Sequence, residues 1–197
     1  MFPLIKARQI AETKVAEIYP FCEVVVIAGS IRREKYEVKD IEIVCIPKLV
    51  MKGGVDLFGA DTTSKIVHPE FVDKIRSFGR IIKGHFPLRY MQIELKEKIN
   101  LDLFMPQRLD FWRQVAIRTG SGDYSAKVIA AAWVRKGWCG TSQGLRLQSE
   151  CEAKISNGKT TWKCIAEKPT LPPAWGSEKE FFDWLGVNFI HPKYRTV

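Results

Sequence analysis

Three acidic residues constrain this chain more than any other feature: Asp40 and Glu42 in KDIEIV, and Asp102 in INLDLF. Each sits in an alternation of polar and apolar residues, the period-two signature of a strand. Over Asp40 to Ile46 the alternation puts Asp40, Glu42 and Val44 on one face and Ile41, Ile43 and Cys45 on the other. Over Lys98 to Met105 it groups Asn100, Asp102 and Phe104 against Leu101 and Leu103. Asp40 and Glu42 are then about 7 Å apart along one face, and a neighbouring strand can set Asp102 beside them. Asp102 lies among Leu101, Leu103 and Phe104, and an acid in apolar surroundings needs a partner or a metal. Three carboxylates facing one way suit a pair of Mg²⁺ ions, with Mn²⁺ able to substitute, and hence phosphoryl chemistry. The plainer alternative is a solvated strand face that happens to alternate acids.

Two glycine–serine turns accompany the acids. GSIRR (Gly29 to Arg33) follows the β-branched run EVVVIA, read as a buried strand over Glu23 to Ala28. Glycine lets backbone approach a phosphate, and Ser30 and nearby amides can donate to it. Arg32 or Arg33 can add a charge-assisted fork. The alternative is an ordinary turn with solvated arginines. The second turn, RTGSGDYSAK, places Thr119, Gly120 and Ser121 at the mouth of a helix, where amides can meet a phosphate or sugar or merely cap the helix. Six tryptophans can stack bases or fill cores. Lys193 and Arg195 can touch a nucleic-acid backbone or fray as a solvated tail.

A net charge of +9 favours polyanionic partners. The five cysteines are odd in number and lack CxxC spacing, and the three histidines do not cluster with them. Free thiols in a reducing compartment are expected, and a zinc site is not. The N-terminal segment is amphipathic rather than a secretory leader, and no apolar run approaches a membrane span. The expected setting is intracellular, without a membrane partner.

Helices are expected over Leu4 to Ile18, Pro69 to Ser77, Phe111 to Ile117, Asp123 to Val134 and Glu178 to Leu185. The fourth presents Ala126, Ala130 and Val134 as its stripe; the last carries a Ser177 cap and a Glu180 capping box. Further strands are expected over Arg80 to Lys83 and Arg89 to Lys96, with a hairpin over Leu145 to Ile155 and Thr160 to Ala166 turning at SNGK. Ile31 to Val38 reads as turns or helix, and the glycine-rich stretch from Met51 to Lys65 as a loop. The fold class is α+β, with a boundary between residues 106 and 107.

In order, these pieces resemble the family X DNA polymerases, the polymerase β-like group. GSIRR is similar to the family's GS-x-RR segment, KDIEIV to its metal-binding DxD strand and NLDLF to its third-aspartate strand. RTGSGDYSAKV is similar to its TGS turn and following helix, RKGW to the step after that helix, and FFDWLGVNFIHPKYR to its terminal helix–LG–x–P–x–R signature. The resemblance implies a nucleotidyltransferase palm over residues 1–106, a mixed sheet with helices on one face. It also implies a small C-terminal α/β nucleotide-binding subdomain over residues 107–197.

The resemblance further implies a monomeric DNA-directed DNA polymerase that adds dNTPs to a primer 3′-hydroxyl at a primer–template or gapped duplex, in short-gap repair. Asp40, Glu42 and Asp102 are its metal-binding and catalytic residues. Gly29, Ser30 and Arg33 hold the triphosphate, and Thr119, Gly120 and Ser121 meet the nucleotide. Departures from the family pattern are Glu42 for the second aspartate, Lys39 for a glycine, Ile117–Arg118 for an aromatic pair, Ser125 for an asparagine and Ile129 for an arginine. The family's lyase and helix-hairpin-helix segments have no counterpart in the sequence, so lyase activity is not expected. Two alternatives stand beside the polymerase: a template-independent or RNA-directed nucleotidyltransferase, and a non-catalytic nucleic-acid-binding protein.

Overall fold

The computed structural model describes residues 1–55, 61–86, 89–156 and 158–196. The chain divides into two compact units. The first comprises residues 1–31 and 35–105, and the second residues 32–34 and 106–197. Both combine helices with a mixed sheet, so the fold is α+β.

The first unit opens with a two-residue strand β1 (Phe2–Pro3) and helix α1 (Leu4–Ile18). Strand β2 (Cys22–Ile27), the short helix α2 (Gly29–Arg32), β3 (Glu37–Val38) and β4 (Asp40–Pro47) follow. Then come β5 (Leu49–Val55), β6 (Asp61–Val67), α3 (Pro69–Ser77), β7 (Gly79–Lys83), β8 (Tyr90–Leu95) and β9 (Asn100–Phe104). Five strands form one sheet in the order β2-β4-β9-β8-β7. Only β4 and β9 run parallel within it. Alternation buries Ile41, Ile43, Met91, Ile93, Leu101 and Leu103 on one face, where Ala7, Ala11 and Ile18 of α1 and Phe71 and Ile75 of α3 complete a core. Each fully buried aliphatic side chain contributes about 1.5–3 kcal/mol, so this face holds the sheet rigid. The opposite face carries half-buried polar residues alongside Val44 and Phe104.

Two expectations for this unit need correction. The run from Glu23 to Ala28 is an edge strand rather than a buried one: Glu23 is exposed, and Val24 to Ile27 are half-buried. Its β-branched residues serve one covered face and one partly open face, which a continuous apolar run does not distinguish. The stretch from Met51 to Lys65 is not a plain loop. Its described residues pair as the antiparallel ribbon β5–β6, Met51 opposite Lys65 and Gly53 opposite Thr63. The ribbon is held by backbone bonds, and its residues Met51, Lys52, Gly53 and Gly54 are exposed, so this part of it gives no alternation for periodicity to detect. The middle of that stretch, residues 56–60, lies outside the described residues.

The second unit contains α4 (Phe111–Thr119), α5 (Gly122–Tyr124), a π-helical stretch over Ser125–Ala130 and α6 (Ala131–Arg135). Strands β10 (Trp138–Thr141), β11 (Gly144–Leu147), β12 (Cys151–Ser156) and β13 (Lys159–Cys164) form a sheet ordered β11-β10-β13-β12, and α7 (Glu178–Leu185) follows. The hairpin turns where SNGK suggests, with Ser156 opposite Lys159 and Gly158 at φ +70°; Asn157 lies outside the described residues.

The stripe expected over Asp123 to Val134 is displaced. Ala126 is exposed and Val134 is 50 % exposed, whereas Tyr124, Ile129, Ala132 and Trp133 are buried. The spacing of five from Tyr124 to Ile129 follows from the π-helical i→i+5 ladder, which rotates the apolar face away from its 3.6-residue course. Five tryptophans (Trp112, Trp133, Trp138, Trp175 and Trp184) belong to or pack on this unit's core, alongside Phe181, Phe182 and Leu185.

Candidate active site

Register, rather than sequence proximity, gathers the three acids. In the parallel pair β4–β9, Asp40 lies opposite Asn100 and Glu42 opposite Asp102. Paired residues of adjacent strands share a face. Asp40, Glu42 and Asp102 therefore lie on the half-buried face away from α1 and α3, with Asp102 one strand spacing, about 4.8 Å, from Glu42. On the far side of β9, Gln92 of β8 is opposite Asp102.

Asp102 is held from β8. Tyr90 donates its hydroxyl hydrogen to Asp102 Oδ1 at 2.7 Å, and Gln92 Nε2 donates to the same oxygen at 3.0 Å. Tyr90 is set by stacking on Phe104, ring centroids 5.1 Å apart. Two donors on Oδ1 fix the carboxylate's orientation and leave the hydrogen-bonded side of the group defined.

Glu42 is packed against the first glycine–serine turn. Gly29 has φ +65°, and a methyl group there would lie 2.1 Å from Glu42 Oε2. Ala28 N–H donates to Glu42 O at 2.8 Å, extending the β2–β4 ladder to the edge of the turn. Gly29 thus supplies both a left-handed backbone and room for a carboxylate. Beside it, Ser30 Oγ is buried with no hydrogen-bond partner among the described residues. A buried hydroxyl without a partner costs about 1–3 kcal/mol and is a donor ready for an anionic ligand.

The donor set is three carboxylates without thiol or imidazole, which matches hard divalent ions such as Mg²⁺. Among the described residues, no three His, Cys, Asp or Glu side chains are drawn into a group that could hold a metal. The acids share a face and a register. Like charges on one face repel, and the donors at Asp102 offset that cost locally.

Arg33, Thr119, Gly120 and Ser121 come together in the second unit. Arg33 Nη1 donates to the carbonyls of Thr119 (2.6 Å) and Gly120 (3.1 Å) at the C-terminal end of α4, where a cation also meets the helix dipole. Ser121 caps α5: its Oγ accepts from Tyr124 N–H at 3.1 Å. Ser121 N–H donates to Arg195 O at 3.0 Å. A methyl on Gly120 would meet Ser125 Oγ at 2.7 Å and the Tyr124 ring at 2.9 Å, so it would displace one of those side chains.

Sequence reasoning missed what supports this turn. Arg32 forms a two-pronged pair with Glu178 (3.0 and 2.8 Å) and donates to Thr119 Oγ1 at 2.8 Å. Arg195 grips the same carboxylate from its other side, donates through Nε to Ile190 O at 3.0 Å, and stacks over Phe182 and Phe189. It is fully buried, neither a frayed tail nor a surface contact. Burial pushes the Glu178 carboxyl up, but hydrogen bonds and charge from Arg195 and Arg32 outweigh it and hold the group below the usual glutamate range. The terminal PKYR segment was the available signal, since an arginine two residues from the last position is conspicuous only once its partner is known.

No helix among the described residues is long and apolar enough to cross a membrane. No known protein family and no curated protein matches this chain.

Proposed function

We propose that this protein is a minimal metal-dependent nucleotidyltransferase that adds dNTPs to a DNA primer 3′-hydroxyl on a primer–template or gapped duplex, as in short-gap repair. The observation that carries the reading is the in-register sharing of one sheet face by Asp40, Glu42 and Asp102 beside a glycine-tight turn with an unpartnered buried serine hydroxyl. The basic net charge of +9 agrees with a polyanionic substrate.

In this reading Asp40, Glu42 and Asp102 would hold the Mg²⁺ ions, with Asp40 and Glu42 shared between them. When bound, such ions lower the pKa of the attacking hydroxyl and steady the leaving oxygen. The chain's own contribution is orientation. Tyr90 and Gln92 hold Asp102 by one oxygen, leaving the other to serve as ligand or proton acceptor. Gly29 keeps its side clear for Glu42, and the Ser30 hydroxyl donates to a phosphate oxygen. Arg33, already committed in part to the Thr119 and Gly120 carbonyls, acts as a positioning residue for the TGS turn rather than as a free phosphate clamp.

Asp102→Asn keeps an acceptor for Tyr90 and Gln92 while removing the charge. Mg²⁺-dependent primer extension should fall by at least about 10²-fold, the scale of a lost transition-state electrostatic contact, with folding unchanged by circular dichroism. Extension at the original rate would remove the proposal.

A second reading is favoured by Ile117 and Arg118 in the place of an aromatic pair, with Ile117 packed on the second unit's core. It gives the same chemistry to a template-independent or RNA-directed transferase. Primer alone, primer–template and an RNA acceptor, each with dNTPs or NTPs, separate the two.

A further inference from the structure

All five cysteines are free, and each has another thiol as a neighbour. Cys22 and Cys45 are thiol neighbours in the first unit. In the second, Cys151 has both Cys139 and Cys164 as thiol neighbours. This second group lies wholly on the β10–β13 sheet and includes none of the residues assigned to nucleotidyl transfer.

Cys151 and Cys164 face each other across the antiparallel pair β12–β13. Ile165 N–H donates to Glu150 O at 3.0 Å, one step before the cysteines, and the ladder closes at Ser156 opposite Lys159, five steps after them. Hydrogen-bonded and non-hydrogen-bonded pairs alternate along such a ladder. Glu150–Ile165 is of the first kind, so Cys151–Cys164 is of the second. Non-hydrogen-bonded pairs bring Cα atoms to about 4.5 Å with side chains close, inside the roughly 4.4–6.8 Å that a disulfide spans. Both residues are half-buried, and β12 is the outer strand of its sheet, so a small reagent can reach them. Cys139, on β10, is 1 % exposed and neighbours Cys151.

The chemistry of the group is asymmetric. Burial first, then hydrogen bonding to Cys139 and Cys164, pushes the Cys151 thiol up to about 12. Cys151 therefore keeps its proton at neutral pH and is a poor first nucleophile. Adjacent thiols of this kind support thiol–disulfide exchange.

We propose that Cys151 and Cys164 are a reversible disulfide site for a low-molecular-weight disulfide oxidant, with Cys139 placed to take over the bond by exchange. In the first step the Cys164 thiolate attacks a sulfur of RSSR; a Cys164–SR bond forms and RS⁻ leaves. In the second, Cys151 loses its proton to solvent and attacks the Cys164 sulfur; the Cys151–Cys164 bond forms and a second RS⁻ leaves. Two protein thiols are oxidised, one RSSR is reduced to two RSH after protonation, and excess RSH reverses the sequence.

The test equilibrates the full chain with graded ratios of oxidised to reduced glutathione, traps thiols by acid and alkylation, and maps linked peptides by mass spectrometry. The expected product is a Cys151–Cys164 link that disappears with excess reduced glutathione. Cys151→Ser should abolish links within this group, and Cys164→Ser should move the link to Cys139–Cys151. Glutathione adducts alone on the unaltered chain, or links confined to Cys22–Cys45, would overturn the proposal. So would protection of all three thiols from alkylation by added zinc. Mapping on the unaltered chain decides the matter even if a serine variant misfolds, and primer extension plays no part in the readout.

Discussion

Gly29 couples backbone conformation to the placement of an acid. Its φ of +65° is one that a side chain disfavours by about 1–2 kcal/mol. An added methyl would also lie 2.1 Å from Glu42 Oε2, so it must displace the carboxylate. Gly29→Ala should lower stability by at least about 1–2 kcal/mol in urea unfolding and reduce primer extension more than its stability loss accounts for. Ordinary stability with full activity would show that Glu42 does not depend on the turn. Glycine in GSIRR was legible as a turn former from sequence. Its service to Glu42 was not, because the two residues meet only through β2–β4 pairing. Ser121 shows the converse: its place in a TGS turn read as a ligand contact or a cap, and its hydroxyl serves as the cap.

At the scale of elements, legibility followed locality. The spans of α1, α3 and α7 agree with those read from helical spacing, the proline at the start of α3, and the Ser177 cap with Glu180 behind it. Gly186 ends α7 at φ +70°, with Val187 N–H donating to Phe182 O at 3.1 Å, as a C-terminal glycine permits. These signals act within a turn or two of chain. The π-helical stretch broke the rule because its register depends on what packs against it. Ile129→Ala should therefore cost about 2–5 kcal/mol as a buried truncation, whereas Val134→Thr should stay within about 0.5 kcal/mol as a surface change. Chemical denaturation of the two variants distinguishes the observed face from the one that 3.6 periodicity selects. The β5–β6 ribbon escaped notice for a related reason: backbone pairing among exposed residues such as Lys52, Gly53, Thr63 and Lys65 leaves no amphipathic trace.

For the whole molecule, acid sensitivity should trace to Glu178. Its folded pKa lies below the unfolded value of about 4.3. A depressed carboxylate contributes stability that is fully present above the unfolded pKa and is lost as pH falls through the folded one. Arg32 and Arg195 stay charged throughout, so protonation of Glu178 leaves two cations in its place. Glu178→Gln should lower stability at neutral pH and flatten the acid limb below about pH 4.3, measured by thermal unfolding against pH. An unchanged acid limb would mean that other carboxylates dominate acid unfolding.

Alternation and caps were written into the chain. Period two placed Asp40 with Glu42 and Asp102 opposite Leu101 and Leu103, and helix starts announced themselves through Pro69 and Ser177. Tertiary structure alone decided that β4 and β9 run parallel with Glu42 beside Asp102, that Arg195 turns inward to share Glu178 with Arg32, and that Cys151 meets Cys164 as a close pair. The physical reason is range. Torsional preference and capping act over a few residues, whereas strand register and buried ion pairs join residues as far apart as Arg32 and Glu178, 146 positions distant. Only simultaneous burial and pairing of the whole chain selects those partners.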